Sequence, residues 1–260
     1  MTGTVSLLTS GPLARVTISH PGKFNAMSRA MWVQLRSVFT AIQQQGSIRC
    51  VLVGGEGGHF CSGGDISEYA DFRFSEDSLR DFHENDVWGG LQAMLDCDVP
   101  IVAQISGNCM GAGLEMASCC DMRIAGESAR FGAPIAKLGF PMAPREAALV
   151  MSAVGDLTAR EILLSAAVLD ASTMNQRGFL NSVVTDDALE SHMQACVNRV
   201  TALAPAAARM NKQAFRALSR ANEAGRVSAP IASPYAYADT DEHREGIAAF
   251  TEKRPARFVS

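Results

Sequence analysis

Two glycine-containing segments carry the residues that are able to do acid–base chemistry in this chain. Residues 60–68 read FCSGGDISE, and residues 105–115 read ISGNCMGAGLE. Each segment is predicted to run from a strand into a helix, where the first amide N–H groups have no partner within the helix. The small residues at 111–113 also let a ligand approach the backbone closely. Two such amides directed at one point would form an oxyanion hole that stabilises the enolate of a thioester.

Glu115 is the candidate proton carrier of this site. It is expected one turn into the second helix, next to the position where the enolate would form. An unpaired carboxylate in apolar surroundings is costly, so its presence in an apolar helix indicates function. A structural ion pair is the alternative explanation. Glycine-rich strand-to-helix turns also serve plain packing in many α/β proteins.

The composition excludes several classes of protein. Hydrophobic residues make up 47% of the 260 residues, as in a globular protein. The net charge is -4, and the sequence has no basic stripe that would bind nucleic acid. The seven cysteines form no C-x-x-C pair and no zinc spacing, which indicates free thiols in a reducing compartment. No apolar run approaches the roughly 20 residues of a membrane helix, and we see no signal peptide. We therefore expect a cytoplasmic protein without metal or membrane contacts.

Strands and helices alternate along the first part of the chain. Strands are predicted at residues 5–8, 14–18, 49–53, 100–106 and 121–125. Helices are predicted after Ser28 as N-cap, at residues 78–95 and from residue 111. Asp65 is predicted to cap a helix with Glu68 as its capping-box partner. The pattern is helical from about residue 158, apart from a loop at residues 226–239, which indicates an α/β core followed by a helical part.

Four segments resemble a known family in the expected order. They are HPGKFNAMS at residues 20–28, FCSGGDI at 60–66, ISGNCMGAGLEMASCCD at 105–121 and EGIAAFTEKRP at 245–255. They resemble the motifs of the crotonase (enoyl-CoA hydratase/isomerase) superfamily. The resemblance implies a spiral of β-β-α turns at residues 1–195 and a C-terminal helical trimerisation region at 196–260. It also implies an acyl-CoA substrate of fatty acid metabolism, no cofactor beyond the CoA of the thioester, and a homotrimer or dimer of trimers.

The same resemblance assigns roles to individual residues. The backbone amides of Gly64 and Ala112 would hold the thioester oxygen, with Glu115 as the acid/base. Phe250 and Lys253 would reach a CoA bound to a neighbouring subunit. The remaining predicted contacts with CoA or substrate are Lys23, Ala26, Ser62, Asp65, Ile66, Gly111, Ile135 and Leu138. Surface charge is the alternative for both lysines, and a core contact is the alternative for Phe250.

The sequence departs from the family in the segment that follows. True hydratases carry a second glutamate in a Phe-Gly-x-Pro-Glu segment, whereas residues 131–135 here read FGAPI. Ile135 should make the acyl pocket more apolar and raise the pKa of Glu115 by desolvation. Arg145 or Glu146 would either project into the pocket as a replacement or begin the next helix.

These observations predict an enzyme, most simply an enoyl-CoA hydratase/isomerase that works with a single glutamate. An acyl-CoA decarboxylase, a thioester hydrolase of the same fold and a non-catalytic acyl-CoA-binding protein remain alternatives. A serine hydrolase is disfavoured because no G-x-S-x-G elbow occurs, and neither Ser62 nor Ser106 has an obvious histidine partner. A nicotinamide enzyme is excluded because the first strand is not followed by G-x-G-x-x-G.

Overall fold

The computed structural model describes residues 2–224 and 236–256, which form an α/β fold with two sheets. The strands are β1 Thr4–Ser10, β2 Leu13–Ser19, β3 Cys50–Gly55, β4 Ile101–Ile105, β5 Asn108–Met110, β6 Met122–Gly126, β7 Arg130–Gly132, β8 Val168–Asp170 and β9 Ser182–Val184. The helices are α1 Arg29–Gln44, α2 Glu76–Asp81, α3 Trp88–Asp96, α4 Ala112–Ser118, α5 Pro144–Val154, α6 Asp156–Ser165, α7 Ala171–Gln176, α8 Leu189–Thr201, α9 Pro205–Ala224 and α10 Asp241–Thr251.

The larger sheet has the strand order β1-β2-β3-β4-β6-β9. β1 and β2 form an antiparallel hairpin with Leu7 opposite Val16, and the following strands pair in parallel. The smaller sheet joins β5, β7 and β8. Because β5 leads directly into α4, this small sheet fixes the start of the helix that carries Glu115.

The central parallel strands β3 and β4 of the larger sheet are buried on both faces, whereas β1 at the edge is mostly exposed. Along β3, Val51 and Val53 belong to the main core, which also contains the buried side of α1. Cys50 and Leu52 point to the opposite face and pack with residues of α8. The strand alternation therefore places one apolar layer on each side of the sheet.

Helix α1 follows its sequence prediction closely. The Ser28 hydroxyl accepts a hydrogen bond from the Met31 amide at 3.3 Å, which confirms the predicted N-cap. Leu35 and Phe39 on the predicted apolar face are fully buried. The capping of α1 and its apolar stripe together fix this helix against the sheet.

The predicted capping box of Asp65 and Glu68 was only half right. Asp65 caps the 3-10 helix Ile66–Asp71 by accepting from the Ser67 amide, but Glu68 does not complete a capping box. The Asp65 amide donates to Met27, and the Glu68 carboxylate accepts from the Arg29 amide instead. A tertiary contact has therefore replaced the local one.

The predicted helix at residues 78–95 is interrupted by the π-helical turn Phe82–Val87 between α2 and α3. Wide π turns occur frequently at functional sites, and this one lies at the cavity described below. Strands β5, β7, β8 and β9 were missed because three residues carry too little alternation to be recognised.

The C-terminal region is helical over its described parts. The predicted domain boundary after residue 195 falls within α8, so the division into domains stays a prediction. Helix α9 exposes Met210, Phe215 and Leu218, and trimerisation through this region also stays a prediction. The predicted loop at residues 226–239 lies largely outside the described residues. Within residues 2–224 and 236–256, no helix is both long and apolar enough to cross a membrane.

Helix α10 packs on its own chain, against the 3-10 turn Ile135–Leu138. A Cβ atom added at Gly246 would collide with the backbone of Leu138 and Gly139. This close approach holds α10 at the edge of the cavity. All seven cysteines are buried free thiols, in agreement with the sequence.

The stability of the core depends on the buried face of α1. Replacing Phe39 with alanine should lower the free energy of unfolding by about 3–5 kcal/mol, because a large cavity opens in the core. The exposed Val33 on the same helix is the matched control, and Val33→Ala should change it by less than about 0.5 kcal/mol. Urea denaturation of both variants measures the difference. Equal losses would contradict the assigned orientation of α1.

Candidate active site

A cavity of about 520 Å³ lies where the two glycine segments meet the turn Ile135–Leu138 and helix α10. Its wall is mostly apolar, with a few charged groups. The structure brings nearly all predicted site residues to it: Lys23, Ala26, Ser62, Gly64, Asp65, Ile66, Gly111, Ala112, Glu115, Ile135, Leu138 and Phe250. Lys253 is not part of its lining.

The two glycine segments are packed directly on each other. The Cys61 amide donates to Asn108 at 2.8 Å, and the Met110 amide donates to Cys61 at 2.9 Å. A Cβ atom on Gly113 would lie 2.6 Å from the Cys61 carbonyl oxygen, so only glycine permits this approach. Gly111, with a φ of 47°, turns the chain from β5 into α4.

Gly64 and Ala112 both line the cavity. The amides next to them in the chain already donate hydrogen bonds: the Asp65 amide donates to the Met27 carbonyl, and the Gly111 amide donates to the Gly132 carbonyl. Within the part of the chain that the structure describes, neither the Gly64 nor the Ala112 amide donates to a backbone carbonyl. Both N–H groups are thus available to an oxygen bound in the cavity.

Glu115 lies in the first turn of α4 with its side chain at the cavity wall. Burial raises the pKa of its carboxyl to about 8, with a further contribution from the negative charge of Glu146 and an opposing one from Arg73. This direction agrees with the sequence prediction.

Lys23 and Asp65 form an ion pair beside the same cavity. The Lys23 ammonium lies 2.6 Å from Asp65 Oδ2 and 2.7 Å from Ser67 Oγ. Burial alone would raise the pKa of Asp65, but hydrogen bonds from Lys23 and Ser67, together with the charge of Lys23, hold it below its usual value. Ser62 donates to the Lys23 carbonyl at 2.9 Å and so ties the first family segment to the second.

Arg73 was not predicted as a site residue. It lines the cavity although its side chain is 1% exposed, and its guanidinium lies 4.3 Å from the ring centre of Tyr69 and 4.1 Å from that of Phe140. Such stacking stabilises a buried cation. The sequence carried one signal, an arginine between Phe72 and Phe74, which is unusual in a surface loop.

The alternatives left for Arg145 and Glu146 are now distinguished. Helix α5 begins at Pro144, so both residues lie in its first turn. Arg145 pairs with Glu84 at 2.9 Å on the surface. Glu146 is 2% exposed, and its Oε1 lies 2.9 Å from Nδ1 of His83. Neither residue lines the cavity, whereas His83 does.

Phe250 lines the cavity of its own chain. The close contact of Gly246 with Leu138 brings α10 to the edge of this cavity. Contact of Phe250 with a CoA of a neighbouring subunit stays a prediction. Lys253 follows the end of α10 with a φ of 55°, and its role toward CoA stays a prediction.

The family model described as enoyl-CoA hydratase/isomerase matches residues 9–260. The chain belongs to this family. The predicted crotonase fold and superfamily are thereby confirmed. The match includes both glycine segments, Glu115 and the isoleucine at position 135.

Individual relatives match this chain over nearly its whole length. The chain is 30% identical over 245 residues to a probable enoyl-CoA hydratase of Mycobacterium bovis, covering 94% of this chain and 93% of the relative. It is 30% identical over 244 residues, with the same coverage of 94% and 93%, to the 2,3-dehydroadipyl-CoA hydratase of Escherichia coli. A solved enoyl-CoA hydratase/carnithine racemase from Magnetospirillum magneticum is 32% identical, with a TM-score of 0.79 and coverage of 98% and 95%.

The ion pair at the cavity predicts a pH-dependent contribution to stability. Asp65→Asn should lower the free energy of unfolding at pH 7 by about 1–2 kcal/mol, because it removes a charge-assisted hydrogen bond but keeps a capping side chain. The folded pKa of Asp65 is depressed, so this difference is complete above its unfolded pKa and disappears as pH falls through the folded value. Urea denaturation across a pH series, with the exposed Asp71→Asn as control, measures it. A difference that stays constant down to pH 2 would contradict the pairing.

Proposed function

We propose that this protein is an acyl-CoA-processing enzyme that forms a thioester enolate, most simply an enoyl-CoA hydratase/isomerase, with Glu115 as its single carboxyl acid/base. The observation that carries the proposal is the mostly apolar cavity that Glu115, Gly64 and Ala112 line together. The names of the curated relatives support a CoA thioester as the substrate.

The chemistry follows from these groups. The two amides would bind the thioester oxygen and stabilise the charge that it gains in the enolate. In hydration, water adds to Cβ and loses a proton to solvent, while Cα takes the proton of Glu115. Glu115 then regains a proton from water. In isomerisation, Glu115 must first be ionised to remove a proton from carbon, so that reaction would be faster as pH rises toward about 8.

The entrance of the cavity fits the CoA part of the substrate. Lys23 is half-exposed there and would offer its ammonium to a phosphate while Asp65 fixes its position. Ala26, Ser62 and Ile66 would line the nucleotide beside it. Deeper in the cavity, Ile135 and Leu138 would contact the acyl chain, an apolar surface that favours a hydrocarbon group.

Acyl-CoA decarboxylation is the second candidate. Ile135 stands in place of the carboxyl that a hydratase would use to hold water, so the wall near Glu115 is apolar, and burial raises the pKa of the Glu115 carboxyl. Loss of CO₂ from a carboxyacyl thioester leaves an enolate, which needs only the oxyanion hole and one proton donor. Both requirements are met by Gly64, Ala112 and Glu115.

Turnover of a short-chain 2-enoyl-CoA tests the first function. The wild type should consume the conjugated thioester, seen as loss of its ultraviolet absorbance, and Glu115→Gln should lower kcat by about 10²–10⁴-fold because the proton donor is lost. The exposed Glu127→Gln is the matched control and should retain full activity. A reaction that uses protonated Glu115 should slow above pH 8.

The second function is tested in parallel with a malonyl-type carboxyacyl-CoA and a CO₂ assay. Release of CO₂ without consumption of enoyl-CoA would identify the reaction as decarboxylation and refute hydration. If neither substrate is consumed while calorimetry still detects acyl-CoA binding, the enzyme proposal is refuted and a binding role remains.

A further inference from the structure

The side chain of Tyr69 lies against one of the two glycine segments of the active site. A Cβ atom added at Gly64 would lie 2.1 Å from the Tyr69 hydroxyl oxygen and 3.1 Å from the ring carbon that carries it. The hydroxyl is therefore in contact with Gly64, and the absence of a side chain there makes room for it. Tyr69 and Gly64 both line the cavity, together with Ala112 and Glu115. The phenol oxygen thus lies beside the Gly64 backbone, whose amide is one of the two proposed oxyanion donors.

The ring of Tyr69 is held on several sides. Tyr69 lies in the 3-10 helix Ile66–Asp71. Its ring packs edge-on against the rings of Phe72 and Phe140, with 6.0 Å between the centroids in each pair. The Arg73 guanidinium covers the ring at 4.3 Å from its centre. Because the ring is packed in this way, its hydroxyl has a fixed direction.

The Tyr69 hydroxyl makes no hydrogen bond with the described residues, although Tyr69 is only 7% exposed. A buried hydroxyl without a partner costs free energy, and phenylalanine would fill the same space without this cost. A ligand in the cavity that supplied an acceptor would remove the cost. Since the hydroxyl lies against Gly64, that acceptor would lie close to the Gly64 amide.

The Tyr69 hydroxyl keeps its proton and can therefore donate. Burial raises the pKa of Tyr69. Glu115, Asp65 and Cys61 act in the same direction, while Arg73 opposes them. A cation stacked on the ring also stabilises negative charge that develops on the phenol oxygen, so Arg73 makes the O–H group a stronger donor.

We propose that the Tyr69 hydroxyl is a third donor of the oxyanion hole and binds the thioester oxygen together with the Gly64 and Ala112 amides. The proposal rests on the proposed function for the identity of the substrate. The thioester oxygen gains negative charge as the enolate forms, and a hydrogen bond from a fixed O–H group to it strengthens at that point. The proton stays on Tyr69, while Glu115 exchanges protons with Cα. Loss of the hydroxyl should therefore affect the transition state more than substrate binding.

Tyr69→Phe tests the proposal because it removes the hydroxyl and keeps the ring. With a short-chain 2-enoyl-CoA, kcat should fall by about 10–100-fold, while KM should change by less than about 3-fold. Ser118→Ala is the matched control and should retain full activity, because the Ser118 hydroxyl donates to the Leu114 carbonyl within α4 and lies outside the cavity lining. An unchanged kcat in Tyr69→Phe, or an equal loss in Ser118→Ala, refutes the inference.

Infrared spectroscopy of bound butyryl-CoA, labelled with carbon-13 at the thioester carbonyl, tests the contact without turnover. Hydrogen bonds to the carbonyl oxygen polarise the C=O bond and lower its stretching frequency. The frequency in the complex should therefore be higher with Tyr69→Phe than with the wild type, and Ser118→Ala should match the wild type. The same frequency in the wild type and in Tyr69→Phe refutes the inference.

Urea denaturation without substrate separates this role from a purely structural one. Tyr69→Phe should not lower the free energy of unfolding, since the hydroxyl has no partner to lose among the described residues. Gly64→Ala should lower it, and the loss should be smaller in the Tyr69→Phe background, where the colliding oxygen is absent. A loss from Gly64→Ala that is equal in both backgrounds, or a marked loss from Tyr69→Phe alone, refutes the inference.

The wild type separates failure of this inference from failure of the proposed function. A wild type that binds butyryl-CoA but turns over no acyl-CoA refutes the function, and the carbonyl frequency still tests the contact with Tyr69. A wild type that binds no acyl-CoA refutes both. An active wild type whose carbonyl frequency is unchanged by Tyr69→Phe refutes only the role of Tyr69.

Discussion

The contact between the two glycine segments is the constraint on which the active site depends. Gly113 lies so close to the Cys61 carbonyl that any side chain there would force the segments apart. The backbone hydrogen bonds of Cys61 with Asn108 and Met110 hold the two segments side by side at this short separation. The second segment begins at the end of β4 and contains β5, so both sheets hold the backbone that leads to Ala112, and the bridge between Cys61 and Cys109 joins the first segment to it. An oxyanion hole requires this preorganisation.

The chemistry of the cavity then follows from burial. Burial in this apolar wall raises the pKa of Glu115. Helix α10 contributes to the wall from its own chain, since Gly246 packs on the turn that carries Ile135. The apolar residue at 135 is therefore consistent with the mostly apolar lining around Glu115.

The sequence predicted the elements whose patterns are local. The apolar stripe of α1, five of the six strands of the large sheet and the two glycine segments all follow from periodicity and turn chemistry, and Glu115 lines the same cavity as these segments. Arg73, His83 and Glu146 were missed as a cluster because they come from three elements that only the tertiary fold brings together. The predicted Glu68 capping box failed for the same reason, because the Glu68 carboxylate accepts a hydrogen bond from the amide of Arg29, which is distant in sequence, and not from a nearby amide.

The most direct test of the account is exchange of the Cα protons of a saturated acyl-CoA with deuterium from heavy water, followed by nuclear magnetic resonance. This exchange needs only the enolate, the oxyanion hole and Glu115, so it does not depend on which net reaction the enzyme catalyses. Exchange is expected with the wild type. Glu115→Gln should still bind acyl-CoA but should no longer catalyse the exchange. Absence of exchange from wild-type protein that binds the thioester, or undiminished exchange in Glu115→Gln, would contradict the account.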